Sequence, residues 1–472
     1  MRRGLMCLFV FLVPTVAAPA QAPSQEEPTR LTLSPAAAPS PALKYKLLPE
    51  LMDQAPGNAA LEYYRAFSPE WWTNIRQQKV WETIEKALQT PLTDLPRKGP
   101  RWVEGNRMLE QVDRAARREY VDWGMAERLR RDGIALLLPD VQSLRRIATL
   151  LAVRARLEIA EGRFDKAVYT LQTGMALGRH TGDSVTLIQD LVGMAIAQIM
   201  IAQLEELIQQ PGAPNFYWAL TDLPRPLFDL RKGLQGERMG VYATIPELSS
   251  LGTTPLTPEQ QQNLLQMLGG GIEVVYARKP NWNNRLMGTL LVLHAYPEAK
   301  KALIAQGRKP EEVEALPALQ VVLIHSLHIY QCLQDDLFKC GGLPYWEARP
   351  LMVQADQRFR QARNRLEGMP FIDFLPALQK VIATTVRTDR RIAALRCIEA
   401  IRIYAAAHDG KLPTTLDAIT EVPIPLDPMT GKAFTYRVSG ERATLYAPPP
   451  PGEKAMPHYN VLNYELTIRR QK

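Results

Sequence analysis

Between residues 47 and 385 apolar positions recur mostly at three- and four-residue intervals, the spacing of helices that bury one face. Start and stop signals bracket these runs. Ser68-Pro69-Glu70 is an N-cap, a first-turn proline and an acid, opening a helix through Trp71, Trp72, Ile75 and Leu88. Asp140 after Pro139 caps another, with Leu144, Ile147, Leu151 and Ile159 on its apolar side and Gly162 at its end. Thr257-Pro258-Glu259-Gln260 is a capping box. Alternation of strand length is scarce before residue 433, so the bulk of the chain is expected to be all-α.

The most apolar internal run, Val185 to Ile208, is interrupted by Gln189, Asp190 and Gln198. A charge near the centre of a membrane span costs about 2.5–3.5 kcal/mol. The run therefore reads as a buried central helix, in which Asp190 needs a partner, expected to be an arginine of a neighbouring helix. Residues 386–472 read differently. A helix from about Thr388 to Ala407 carries Ile392, Leu395, Ile398, Ile401 and Ala405 as an apolar stripe. After it come Asp409-Gly410, Leu412-Pro413, Asp427-Pro428 and Gly431, a dense series of turn signals. Strands are expected near 433–436, ending in Tyr436, and at Ala443–Tyr446. Leu412, Leu416, Ile419, Phe434 and Leu445 are expected to fold back over the stripe, with Asp427 a turn residue.

The N-terminus sets an expectation about location. Met1-Arg2-Arg3, an apolar run from Leu5 to Val16 and Ala18-Pro19-Ala20 have the anatomy of a secretory signal peptide over residues 1–20, with Gln21 as the first mature residue; a retained anchor is the other reading. Residues 21–46 open with a Pro/Ala/Ser-rich stretch, expected to be a disordered tether. The 472 residues are 46% hydrophobic, enough for a sizeable core, and carry a net charge of +8, two units of it from the leader's arginines. In an exported chain nucleic acid is not an expected partner. Envelope proteins and anionic wall polymers are. Three of the four cysteines, Cys332, Cys340 and Cys397, lie beyond the leader, which excludes a disulfide scaffold and leaves a single Cys340–Cys397 bridge open.

Catalytic motifs are missing: there is no H-E-x-x-H, G-x-S-x-G, Walker loop or paired C-x-x-C, and Gly269-Gly270-Gly271 reads as a loop. His325, His328, Cys332, Asp335 and Asp336 share one helical face. They are competent metal ligands or, equally, a polar stripe of a packed helix. No catalytic, cofactor or metal residue is assigned. Arginines in 101–156 and 349–402 alternate with acids at helical spacing, which suits solvated faces or an anion-binding groove. His180 reads as a cation at a helix C-terminus. The aromatic groups Tyr63, Tyr64, Trp71 and Trp72, and Phe216, Tyr217 and Trp218, read as core.

Resemblances add to this. Gly162, Phe164, Ala167 and Leu171 have the spacing of one tetratricopeptide unit, without a matching second copy. Residues 390–446 resemble the globular end of type II secretion major pseudopilins in the order helix, Asp-Gly turn, Leu-Pro, Pro425-x-Asp427-Pro428, glycine and strand. The prepilin cleavage motif and the calcium-binding loop of those proteins are not recognisable, so no calcium site carries over. The segments 47–66, 162–180 and 204–231 together with the C-terminal module resemble a group of large exported helical proteins of planctomycete bacteria, which implies export and architecture but no activity. The expected molecule is a mainly α, irregular stack of helical hairpins over 47–385 with a small pseudopilin-like α/β module over 386–472. It would serve as an exported scaffold or interaction module. The alternative is an exported hydrolase with a dispersed site.

Overall fold

A computed structural model describes residues 28–67, 78–95, 106–133, 136, 139–252, 254–265, 282–364, 371, 378–456 and 459–469. The leader, the Ser68 helix start and Gly269–Gly271 lie outside the described residues. The early helices are α1 (Ala59–Ala66), α2 (Gln78–Gln89), α3 (Arg107–Ala116) and α4 (Met125–Asp132). Then come α5 (Pro139–Ala160), α6 (Phe164–Gly182), α7 (Leu187–Ile208), α8 (Tyr217–Thr221) and α9 (Arg231–Thr244). The capping box at Thr257 forms as expected, with reciprocal bonds between Thr257 and Gln260. The later helices are α10 (Trp282–Ala305), α11 (Pro310–Glu314), α12 (Ala318–Phe338), α13 (Tyr345–Asn364) and α14 (Leu378–Ala407).

The central element is α7. It is long and apolar enough to cross a membrane, yet it packs against α5, α6, α9 and α14, as a core helix does. Close approach depends on small residues: a Cβ on Gly193 would fall 2.5 Å from the Gly178 carbonyl oxygen of α6. Ala167 and Leu171 are buried where α6 meets α5.

The C-terminal unit is a helix under a sheet. Strands β4 (Thr435–Ser439), β5 (Arg442–Ala447) and β6 (Leu462–Ile468) form an antiparallel meander. Ile398 and Ile401 of α14, with Leu416, Ile419, Phe434 and Leu445, belong to one core cluster, so the expected fold-back over the stripe is present. Gly410, at φ +75°, makes the reversal, its N–H bonding the Ala405 carbonyl at 2.8 Å. Truncating Phe434, 5% exposed, should cost about 3–5 kcal/mol in Phe434→Ala, measured by urea denaturation. A loss below about 1 kcal/mol would mean that this residue does not hold the unit closed.

Several expectations need correction. Residues 21–46 are not wholly a tether. Thr29–Leu33 form a strand, β1, which pairs parallel with β6 at the sheet edge, in the order β1-β6-β5-β4. Leu31 and Leu33 enter the core. The following residues are held by α14: Arg402 donates to the Ser34 carbonyl at 2.9 Å, and Ala36 N–H to the Arg402 carbonyl at 3.1 Å. The region 47–385 is not purely helical either, since β2 (Ala55–Asn58) pairs with β3 (Arg118–Tyr120). The expected boundary at 385/386 falls inside α14, and residues on both sides of it, such as Ile382 and Ile398, share one core. Tyr436 sits near the start of its strand rather than the end, because the hairpin turns at Gly440, at φ +60°.

The charged residues also sit differently. Many arginines are internal rather than on solvated faces. Arg154 forks onto Asp113 at 2.7 and 2.9 Å, and fully buried Arg402 pairs with Glu399 at 2.8 Å. His180 is no cation. Burial and the Arg179 charge push its imidazole down to about 4, and its Nδ1 meets the Tyr63 hydroxyl at 3.0 Å. Among the described residues Asp190 finds no arginine: both its oxygens are buried without a hydrogen bond, and its charged neighbours are Asp183, Glu237 and Asp229. Cys332, Cys340 and Cys397 are all free, so the Cys340–Cys397 bridge does not form.

Candidate functional site

The five chemistry-bearing residues of α12 do not converge. Cys332 Sγ lies 3.6 Å from His328 Nε2 at the surface. Asp335 instead pairs with Arg238, and Asp336 with Lys339 at 2.5 Å and Arg358 at 2.6 Å. Helical geometry fans them around the face rather than towards one point, and neighbouring cations take the carboxylates. His325 lies on the same helix, partly buried. Among the described residues no group of three or more histidines, cysteines or acids is arranged to hold a metal. A hollow of about 260 Å³ beside His328 is lined by Leu303, Arg308 and Ile324 among others, but Cys332 is not part of its wall.

The better site lies where the helical stack meets the C-terminal unit. Three segments build it: the end of α8 with the loop to Arg225, the middle of α14, and the strap Pro423–Pro428. The strap is stiffened by Pro423, Pro425 and Pro428. It is tied down by Tyr217, whose hydroxyl donates to the Pro423 carbonyl, and by Asp427, which is fully buried against Arg390 at 2.8 Å. The resulting cleft has a volume of about 350 Å³, within the size range of ligand pockets. Leu220, Leu223, Ile392 and Ile424 give it apolar walls, and Leu426, 57% exposed, stands at its rim.

Its polar groups are Arg225, Asp389 and Arg396. Arg396 is 7% exposed. Its Nε donates to Thr221 Oγ1 at 2.9 Å and its Nη2 to the Tyr217 hydroxyl at 3.4 Å, while the guanidinium lies 5.4 Å from the Tyr217 ring centroid. Its Nη1 makes no hydrogen bond to any described residue. Arg225 is exposed and donates to the Thr221 carbonyl at 2.9 Å. Partial burial and then the positive charge of Arg396 lower its pKa. The Asp389 carboxylate accepts from the Leu227 N–H at 3.0 Å, and burial pushes its pKa up to about 6 despite that bond and the charge of Arg225.

The arrangement can bind better than it can react. Among the described residues the cleft wall holds no serine, threonine, cysteine or histidine, and Asp389 is the one side-chain nucleophile there. Cys397, behind the wall, is buried and its thiol is pushed up to about 12. None of Arg225, Asp389 and Arg396 stands out in the sequence. Each is an ordinary charge at helical spacing or in a loop, and only the fold brings them together. Comparison of the chain with protein-family models, with curated protein sequences and with solved structures gives no match.

Proposed function

We propose that this protein is an exported binding scaffold of the cell envelope, and that the cleft between the helical stack and the C-terminal unit is where it holds its partner. The observation that carries this reading is Arg396: a buried guanidinium with no carboxylate partner among the described residues, in the wall of an apolar cleft. Its hydrogen bonds to Thr221 and Tyr217 leave Nη1 as a donor that an arriving acceptor would use. The leader anatomy supports export, with other envelope proteins as the expected partners and anionic wall polymers second. The order of helix, turn and hairpin supports reading residues 386–472 as pseudopilin-like.

The test is a photo-crosslinking amino acid at Leu426 in the producing cell. The expected result is one discrete adduct with an envelope protein, lost when Arg396→Gln is added. Adducts unchanged by Arg396→Gln would remove the cleft from the account. The same purified material checks export: its mass should begin at Gln21, and an intact Met1 in cytosolic protein would refute that part.

Asp389 favours a second reading, a hydrolase in which this carboxylate, with its pKa near 6, acts as general base. On that reading a hydrolytic turnover would fall at least a hundredfold in Asp389→Asn. The binding reading expects no turnover of ester, phosphoester or peptide reporters by the wild-type protein.

A further inference from the structure

The contrast among the arginines of α14 identifies the class of ligand. Arg390, Arg396 and Arg402 are all buried on this helix, at 1%, 7% and 0% exposure. Arg390 has Asp427 at 2.8 Å and Arg402 has Glu399 at 2.8 Å. Partly buried Arg391 has Glu205 at 2.6 Å. Arg396 alone of these four lines the cleft, and no carboxylate among the described residues lies within ion-pair distance of it. Partly buried Arg387 also has no carboxylate among the described residues, but it stacks at 3.8 Å on the Tyr459 ring and lies outside the cleft. Of the three buried arginines, only the one facing the open space lacks a carboxylate.

We propose that the cleft binds an acidic peptide segment of a partner protein: one carboxylate seated on Arg396 and Arg225, with flanking apolar side chains against Leu223, Ile392 and Ile424. This rests on the binding reading above and gives its partner a chemistry. The assignment follows from complementarity. Two guanidiniums converge on one cleft, and an arriving carboxylate relieves their mutual repulsion and completes the open donor of Arg396. The rest of the wall is leucine, isoleucine, proline and Ala393, which suits an extended chain with apolar residues beside its acid better than a highly hydrated polyanion. Asp389, held by the Leu227 N–H, stands as the one like charge in the wall and selects against a second acid next to the first.

The probe is an array of end-capped peptides of leucine, proline and valine with one Glu at each position in turn, and the matching array with Gln. Purified full-length protein should retain a subset of the Glu peptides at least tenfold better than their Gln counterparts. Arg225→Gln, at an exposed position, should weaken that retention several-fold without altering the thermal midpoint, and Arg396→Gln should abolish it. Equal retention of Glu and Gln peptides, or wild-type retention by both variants, overturns the proposal. Failure of the underlying reading looks different: a Glu peptide that is retained and then cleaved leaves the ligand class intact but makes the protein an enzyme. No retention of any peptide, alongside an Arg396-dependent adduct at Leu426, leaves a binding protein whose ligand is not an acidic peptide.

Discussion

Asp427→Ala should lower the free energy of unfolding by about 3–5 kcal/mol, as large a loss as any expected of a single substitution in the C-terminal unit. Arg390 and Asp427 are each 1% exposed and meet at 2.8 Å. Arg390 also donates to the Asn460 carbonyl at 2.6 Å and the Pro448 carbonyl at 2.5 Å. Removing the carboxylate leaves the guanidinium buried with neutral acceptors only. It also strips Thr430 Oγ1 and the Met429 N–H of their acceptor, each at 2.9 Å. Asp427→Asn keeps the shape but not the charge, so most of the loss should remain. The double variant Arg390→Met, Asp427→Leu should recover much of it, because breaking a buried pair costs more than replacing it with packed apolar groups. Urea denaturation of the three proteins decides this. A single variant within about 1 kcal/mol of wild type would mean that the pair does not anchor the strap.

Asp190→Asn should stabilise the protein at pH 8 by a few kcal/mol, the opposite of what loss of a buried polar residue usually does. Asp190 is fully buried in α7, neither oxygen has a hydrogen bond, and burial followed by the charges of Asp183, Glu237 and Asp229 pushes its carboxyl up to about 8. Glu237 is pushed up to about 7 by burial, against a bond from the Leu187 N–H. A carboxyl whose pKa is raised on folding binds a proton in the native state that the unfolded chain has released. Native protein is then favoured at low pH, and stability falls as pH rises from about 4, the ordinary aspartate value, to about 8. Wild type should accordingly be more stable at pH 5 than at pH 8. Asp190→Asn does not titrate, so its profile should be flatter and the two proteins should converge towards pH 4. Urea denaturation at pH 5 and pH 8 tests it. A variant destabilised equally at both values would show that Asp190 has a partner when ionised.

How much of this was legible in the sequence depends on the distance over which each feature is decided. The α14 stripe and the reversal at Gly410 are local, and they were readable from spacing and turn chemistry. Strand β1 was not. Its alternation of Thr29, Leu31 and Leu33 is five residues long, lies next to a Pro/Ala/Ser-rich stretch, and acquires meaning only beside β6 at the other end of the chain. Asp427 was recognisable as a turn residue, and its backbone does make the turn, accepting the N–H groups of Thr430 and Gly431 at 3.2 and 2.8 Å. Its side chain's attachment to Arg390 depends on how the strap crosses the helix. Asp190 was marked as a buried acid needing a partner, but its charged neighbours come from the loops before α7 and α9 and from α9 itself, and they are acids. The cleft was the least visible, since Arg225, Asp389 and Arg396 come from two segments far apart in sequence. Asp427-Pro428 was readable as a turn, which says nothing of what the segment before it faces.

The central claim is that Arg396 is present for a ligand and Arg390 for the fold. The most direct measurement is urea denaturation of Arg396→Gln and Arg390→Gln side by side, without ligand. The account predicts that Arg390→Gln loses about 3–5 kcal/mol, because it leaves Asp427 buried and unpaired, whereas Arg396→Gln, which breaks no ion pair, stays within about 1 kcal/mol of wild type. Equal, large losses in both would make Arg396 another structural arginine and would contradict the account.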